Sequence, residues 1–127
     1  MLSYRIDGAR RLVTVTGTGV LTAHEISEAQ AAIGTDPEFH PGFALLIDFR
    51  TASLSTVEAE EVRRHALEDP FAPNSPRAIV ISSEVDYGVV RMFEAYSELA
   101  GRSGPVQAFR DPAGALSWLE EVCAAQP

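Results

Sequence analysis

Two clusters of polar side chains in this 127-residue chain have the types and spacing to do chemistry. The first lies in Asp48-Phe49-Arg50-Thr51-Ala52-Ser53-Leu54-Ser55, between an apolar run and an amphipathic one. In a turn at that place, Asp48, Arg50, Thr51, Ser53 and Ser55 form a polar, ligand-prone edge, where the free N–H groups that open a following helix are available for an anion. The plainer alternative is that Ser55 caps the helix while Asp48 satisfies loop amides. A phosphate on Ser55 would also sit favourably at a helix N-terminus, so phosphorylation there is physically permitted. The second cluster is Tyr87, Arg91, Glu94 and Glu98, which share one helical stripe at three- and four-residue spacing. Arg91 can clamp a ligand carboxylate at the mouth of a pocket. The alternative is a solvated face whose helix salt bridge is worth roughly 0.3–0.5 kcal/mol.

The rest of the inventory narrows the chemistry. All ten basic residues are arginine, which excludes a Schiff-base lysine, a lysine general base and a phosphate-loop lysine. His24, His40 and His65 lack the spacing of a metal site, and no serine stands in a Gly-x-Ser-x-Gly elbow. Asp48 and Asp86 follow separate apolar runs and would need to converge for acid–base work. Gly17-Thr18-Gly19 lacks the third glycine of a dinucleotide fingerprint and reads as a turn. Cys123 is the sole cysteine, which precludes an intrachain disulfide, and on the last helix it reads as a small buried hydrophobe. The expectation is a non-enzyme with no metal and no cofactor.

A formal charge of −8 repels phosphate backbones and anionic membrane surfaces, so neither nucleic acid nor a membrane is an expected partner. The adjacent basic pairs, Arg10-Arg11 and Arg63-Arg64, read as solvated. Nothing behind Met1 resembles the apolar segment of a secretory signal, and no run approaches the roughly 20 apolar residues of a membrane span. A soluble, cytoplasmic protein is expected. With 46% apolar content and no internal linker, residues 1–127 suit one domain.

The elements that must position these groups follow from the hydrophobic pattern. Residues 3–7 and 11–16 alternate in polarity about Gly8-Ala9-Arg10, as a hairpin does. Thr22-Ala23-His24-Glu25 is a capping box opening a helix to about Ala32, with Ile26, Ala29 and Ile33 inward. Phe43–Phe49 and Ala78–Ile81 are short, almost wholly apolar runs, the mark of parallel strands buried on both faces. Ser55-Thr56-Val57-Glu58 reads as a second capping box, for a helix to about Leu67. His65 near that helix's end reads as a favourable dipole partner, and Pro70, Pro73 and Pro76 enforce an irregular connection. The longest helix starts at Ser83–Tyr87, with Val85, Val89, Met92, Tyr96 and Leu99 at helical spacing. Val106–Phe109 is a last strand, and Asp111-Pro112 opens a helix burying Ala115, Leu116, Leu119 and Val122 beside Trp118. The order is ββαβαβαβα: an α/β fold with a mixed five-stranded sheet and about four helices.

Several of these segments together resemble the SpoIIAA-like branch of the STAS superfamily, the fold of anti-sigma-factor antagonists, which is similar to SEC14 lipid-carrier domains. They are Gly19-Val20-Leu21-Thr22, Leu46-Ile47-Asp48-Phe49-Arg50, Arg77-Ala78-Ile79-Val80, Tyr87-Gly88-Val89-Val90-Arg91-Met92-Phe93, and Phe109-Arg110-Asp111 with Ala115-Leu116 and Trp118-Leu119. They cover nearly the whole chain in order. The family's antagonists carry Asp-Ser-Ser-Gly at the second helix, and its serine is phosphorylated; here the stretch reads Ala52-Ser53-Leu54-Ser55-Thr56, without the serine–glycine pair. The resemblance therefore implies the fold and a general binding role without the phospho-switch.

Two non-enzymatic roles follow. The first is a regulatory or protein-interaction module, expected as a homodimer, in which Phe71 of the proline-rich connection meets a partner or second copy. The second is a carrier of a small lipophilic ligand held between the Tyr87–Tyr96 helix and the sheet, against Val89, Met92, Phe93 and Tyr96. The same apolar stripe also reads as plain core or dimer contact.

Overall fold

In the computed structural model, which describes residues 1–125, the alternating N-terminal segment folds as the expected hairpin. Strands β1 (Leu2–Asp7) and β2 (Leu12–Val20) pair antiparallel, from Leu2 opposite Gly17 to Asp7 opposite Leu12. The turn closes with Arg11 in the left-handed region, at φ 55°. Then follow α1 (Ala23–Thr35), β3 (Ala44–Ser53), α2 (Ala59–Leu67), β4 (Arg77–Val80), α3 (Glu84–Leu99), β5 (Val106–Phe109) and α4 (Pro112–Ala125). One sheet holds the five strands in chain order, and β2 through β5 run parallel. The apolar runs of β3 and β4 are neighbours, with Leu46 opposite Ala78 and Ile47 opposite Ile79.

The sheet buries both faces because successive side chains alternate. On one face Val13, Val15, Leu45, Phe49 and Ile79 pack with Ile33 of α1, Val62 of α2 and Val90 of α3. On the other, Leu12, Ala44, Leu46, Ala78 and Val80 meet Ala115 and Leu119 of α4. Thr22 caps α1 as expected: its Oγ1 accepts from the Glu25 N–H at 3.1 Å, and Glu25 accepts from the Thr22 N–H at 3.2 Å. Asp111 takes up the Gly114 N–H at 2.7 Å, with Pro112 in the first helical position.

Several expectations need correction. Gly17-Thr18-Gly19 is strand, not turn: β2 runs through it with a register shift between Thr16 and Thr18. A Cβ on Gly17 would stand 2.8 Å from the Phe49 ring, so the glycine makes room for that side chain. Beyond the shift the β2–β3 ladder resumes, Thr18 opposite Thr51 and Val20 opposite Ser53. Strand β3 therefore does not end at Asp48-Phe49-Arg50. Nor does Ser55 cap α2. Its N–H donates to Ser53 Oγ at 3.2 Å, and burial of Leu54 and Val57 keeps the segment turned inward. The cap is instead Glu58, whose N–H donates to Glu61 Oε1 at 2.8 Å.

Helix α3 is rotated from its expected stripe. Val85 and Leu99 are exposed, while Asp86, Val90 and Ser97 are buried. The cause is Asp86, which accepts the buried Leu54 N–H at 2.9 Å and so fixes which side of α3 faces the sheet. Phe71 is not available to a partner: it is 5% exposed, with its ring centroid 5.0 Å from that of Phe39 in an edge-on contact. Cys123 is exposed rather than buried, and Val122 is half-buried. His65 is buried, not a surface dipole partner.

Beside Phe71 lies a buried ionic cluster. Asp69 is in a salt bridge with Arg77, their side chains 2% and 4% exposed, and Arg102 approaches the same carboxylate at 3.5 Å. Arg102 also donates to the Asp69 and Phe71 carbonyls, each at 2.8 Å. Desolvation lowers the Arg102 pKa. The cluster ties the proline-rich connection to β4 and to the end of α3. Among the described residues, no helix is long and apolar enough to cross a membrane.

Candidate functional site

Asp48 and Arg50 point to the same side of β3 and engage each other. Arg50 donates through Nε at 3.0 Å and Nη2 at 2.9 Å to the two carboxylate oxygens. The bidentate pair holds the Asp48 carboxyl below its ordinary range and raises the Arg50 guanidinium. Ser53 and Ser55 lie beyond it, bonded to one another at 2.9 Å. The first cluster is thus split into two self-satisfied pairs. Asp86 is occupied by the Leu54 N–H, so Asp48 and Asp86 each have a partner of their own.

Arg91 stacks over the Tyr87 ring, 5.8 Å from its centroid, on an exposed part of α3. Glu94 is half-buried, and desolvation raises its carboxyl pKa against the pull of Arg91. Met92 and Tyr96 pack at the margin of the core.

The structure brings together a different set. A cavity of about 130 Å³ lies between the sheet and helices α1, α2 and α3. Its walls are mostly apolar, including Val15, Leu45, Ile47 and Ile79 from strands and Ile33 and Val62 from helices. From α3, Val89 and Phe93 line it as expected, but Tyr87, Arg91, Met92 and Tyr96 do not. Four polar residues that sequence reasoning did not assign to a site also reach its wall: Gln30, His65, Asp69 and Arg77.

Gln30 and His65 link α1 to α2. Gln30 Nε2 donates to the His65 carbonyl at 2.9 Å, and His65 Nδ1 lies 3.5 Å from Ser27 Oγ. Gln30 Oε1 and His65 Nε2 are buried without a partner. Burial lowers the His65 pKa and the neighbouring Arg64 adds to the effect, while Glu68 and Glu61 oppose it. The ring is therefore neutral at pH 7. A neutral imidazole beside an amide makes a hydrogen-bonding pair; the cavity wall carries no serine, cysteine or lysine nucleophile. Among the described residues, no three His, Cys, Asp or Glu side chains gather as a metal site would need.

The depressed His65 pKa has a definite pH consequence. Because the unfolded ring binds protons more readily, stability is fully present above its ordinary value of 6.5 and falls as pH drops below it. The slope from this one group is at most about 1.4 kcal/mol per pH unit. Denaturation midpoints measured between pH 7 and pH 5 should fall more steeply for the wild type than for His65→Gln. Equal slopes would contradict this reading.

No family model matches the chain, and no curated protein does. Among solved structures, the chain is similar to an uncharacterised DUF3478-family protein with a SpoIIAA-like fold from Shewanella loihica PV-4. The two share 19% identity over 93% of each chain, with a TM-score of 0.59. The mixed sheet, its four helices and this likeness together establish that the chain has a SpoIIAA-like fold.

Proposed function

We propose that this chain is a non-enzymatic interaction module that holds a small, largely apolar molecule in the cavity between its sheet and helices α1–α3. The observation that carries the proposal is the cavity: about 130 Å³ of almost wholly apolar space, partly open to solvent, between the sheet and helices α1–α3. Protein interiors pack to the density of organic crystals, so an apolar recess of this size between a sheet and its covering helices is space that a small molecule can fill. Engineered apolar cavities of about 150 Å³ bind benzene or xenon. The volume suits one ring or a short chain and is too small for a phospholipid. The sparse reactive inventory, with Asp48 and Asp86 each engaged, supports the absence of catalysis in this reading. Outside the cavity, Val20 closes β2, while Val85 and Tyr87 begin α3 just after β4; all three are exposed. Since β2 and β4 both run parallel to β3, these apolar side chains stand at one end of the sheet, a surface suited to a protein partner or second copy.

Toluene titrated into isotope-labelled protein should shift the methyl resonances of Ile33, Val62 and Ile79 and leave those of Leu12 and Leu119, on the opposite face, unchanged. Ala29 lines the cavity. Ala29→Leu should fill part of the space, abolish the shifts and raise stability by about 0.5–2 kcal/mol. Methyl resonances indifferent to toluene would remove the proposal.

A further inference from the structure

Four polar residues line the cavity, yet the surface it presents is almost wholly apolar. The Asp69 carboxylate is engaged by the Phe71 N–H at 2.9 Å and by Arg77. The Arg77 guanidinium in turn lies 5.7 Å from the ring centres of Phe71 and Phe93. Gln30 Nε2 donates to the His65 carbonyl at 2.9 Å, while Gln30 Oε1 and His65 Nε2 are enclosed too closely for a water molecule to touch them. The floor is a row of three side chains, Val15, Ile47 and Ile79, directly opposite one another on β2, β3 and β4. Val15 and Ile79 are buried, but Ile47, on the middle strand, is only half-buried. A close-fitting helix layer would cover the central side chain first, so the space lies over the middle of the sheet. Leu2, Ile26, Val89 and Phe93 also line it and are half-buried, which carries the apolar character towards the open side.

We propose that the guest is a neutral hydrocarbon about the size of benzene or toluene, without any hydrogen-bonding group. This rests on the reading of the cavity as a small-molecule site and names the class of ligand. A hydroxyl entering the space sheds its water and finds neither donor nor acceptor in return. A carbonyl or ether oxygen is left in the same position. A carboxylate or an ammonium loses far more, since an unpaired charge is the costliest group to bury. Water itself is a poor occupant, because a buried water molecule needs two to four polar partners. A hydrocarbon gives up nothing on leaving water and gains contacts with Val15, Ile47 and Ile79. Selection at this cavity is therefore by the absence of polar groups in the guest.

Toluene, phenol and benzoate share one ring and differ in the group it carries. Their binding to the wild-type protein is read by methyl shifts and by calorimetry. Toluene should bind, phenol should bind about 10–100-fold more weakly, and benzoate should not bind detectably. Val15→Thr keeps the shape of the side chain and adds a hydroxyl to the floor, so the deficit of phenol against toluene should shrink about threefold or more. Ile47→Thr takes its place if that variant does not fold. Phenol binding within about tenfold of toluene in the wild type, or benzoate binding at all, overturns the hydrocarbon assignment and leaves the cavity reading intact. A phenol deficit unchanged by the added hydroxyl does the same. If none of the three compounds binds, both readings fall.

Discussion

Asp69→Asn should destabilise the protein by about 3–5 kcal/mol, the loss expected when one partner of a buried ion pair is removed. Asp69 meets Arg77, and both side chains are almost completely buried. Arg102, whose own pKa burial lowers, stands 3.5 Å from the same carboxylate. Neutralising Asp69 leaves two guanidinium groups facing each other without a counter-charge. It also weakens the acceptor of the Phe71 N–H, now bonded to Asp69 Oδ1 at 2.9 Å. Arg77 cannot move out to water easily, because its guanidinium lies 5.7 Å from the ring centres of both Phe71 and Phe93. Adding Arg77→Met to Asp69→Asn should recover a large part of the loss, since a buried pair replaced by apolar side chains is often tolerated. Chemical denaturation of the two variants checks both statements. A loss below about 1 kcal/mol for Asp69→Asn would place the cluster among ordinary surface pairs and contradict the burial argument.

The two faces of the sheet were legible because β3 and β4 are apolar with little interruption, a pattern that only a strand covered on both sides requires. Where β3 stops was not legible. Thr51, Ala52 and Ser53 carry no hydrophobic signal, and they are strand because Thr18, Gly19 and Val20 lie alongside them. The start of α2 was ambiguous for a related reason. Ser55-x-x-Glu58 and Glu58-x-x-Glu61 both fit a capping pattern, and the burial of Leu54 and Val57 selects the second. Phe71 in a proline-rich segment looks exposed until Phe39, from a distant part of the chain, and Arg77, at the start of β4, close over its ring.

The candidate site shows the same division. Gln30 follows Ile26 by four residues and precedes Ile33 by three, and His65 follows Val62 by three, so both occupy inward positions of their helices. That spacing was readable. A cavity is not, because it is the remainder after all side chains have packed. The polar cluster that sequence did single out, Asp48 to Ser55, satisfies itself through Arg50 and Ser53. Residue type suggested chemistry there, whereas, among the described residues, the buried polar side-chain atoms without a partner belong to Gln30, His65 and Ser97.

Two glycine-to-alanine substitutions should have opposite signs. Gly104→Ala is expected to cost about 3 kcal/mol, the upper range for inserting a methyl group where there is no room. An added Cβ would stand 2.4 Å from the Ser75 carbonyl oxygen and 2.7 Å from the Asn74 carbonyl carbon. Both are backbone atoms, and they cannot retreat. The Ser75 hydroxyl is bonded to the Phe43 carbonyl, and the next carbonyl, of Pro76, accepts the Leu45 N–H at 3.1 Å. Yielding at Asn74–Ser75 would disturb the entry to β3, and the Gly104 and Ser103 N–H bonds to the Pro73 carbonyl, each 2.9 Å, would be lost. The strain would reach the cavity through Phe71 and Arg77, which line it. Gly88 is the control: it lies within α3 with nothing inside 4 Å of an added Cβ. Gly88→Ala should therefore stabilise by about 0.5–1 kcal/mol through the backbone entropy that glycine loses in a helix. Denaturation midpoints of the two variants give the signs directly, and toluene titration of Gly104→Ala shows whether the cavity survives. A Gly104→Ala variant as stable as the wild type would mean that the Pro73–Ser75 connection can move away from Gly104, and the rigid cavity wall that the proposed binding requires would lose its support.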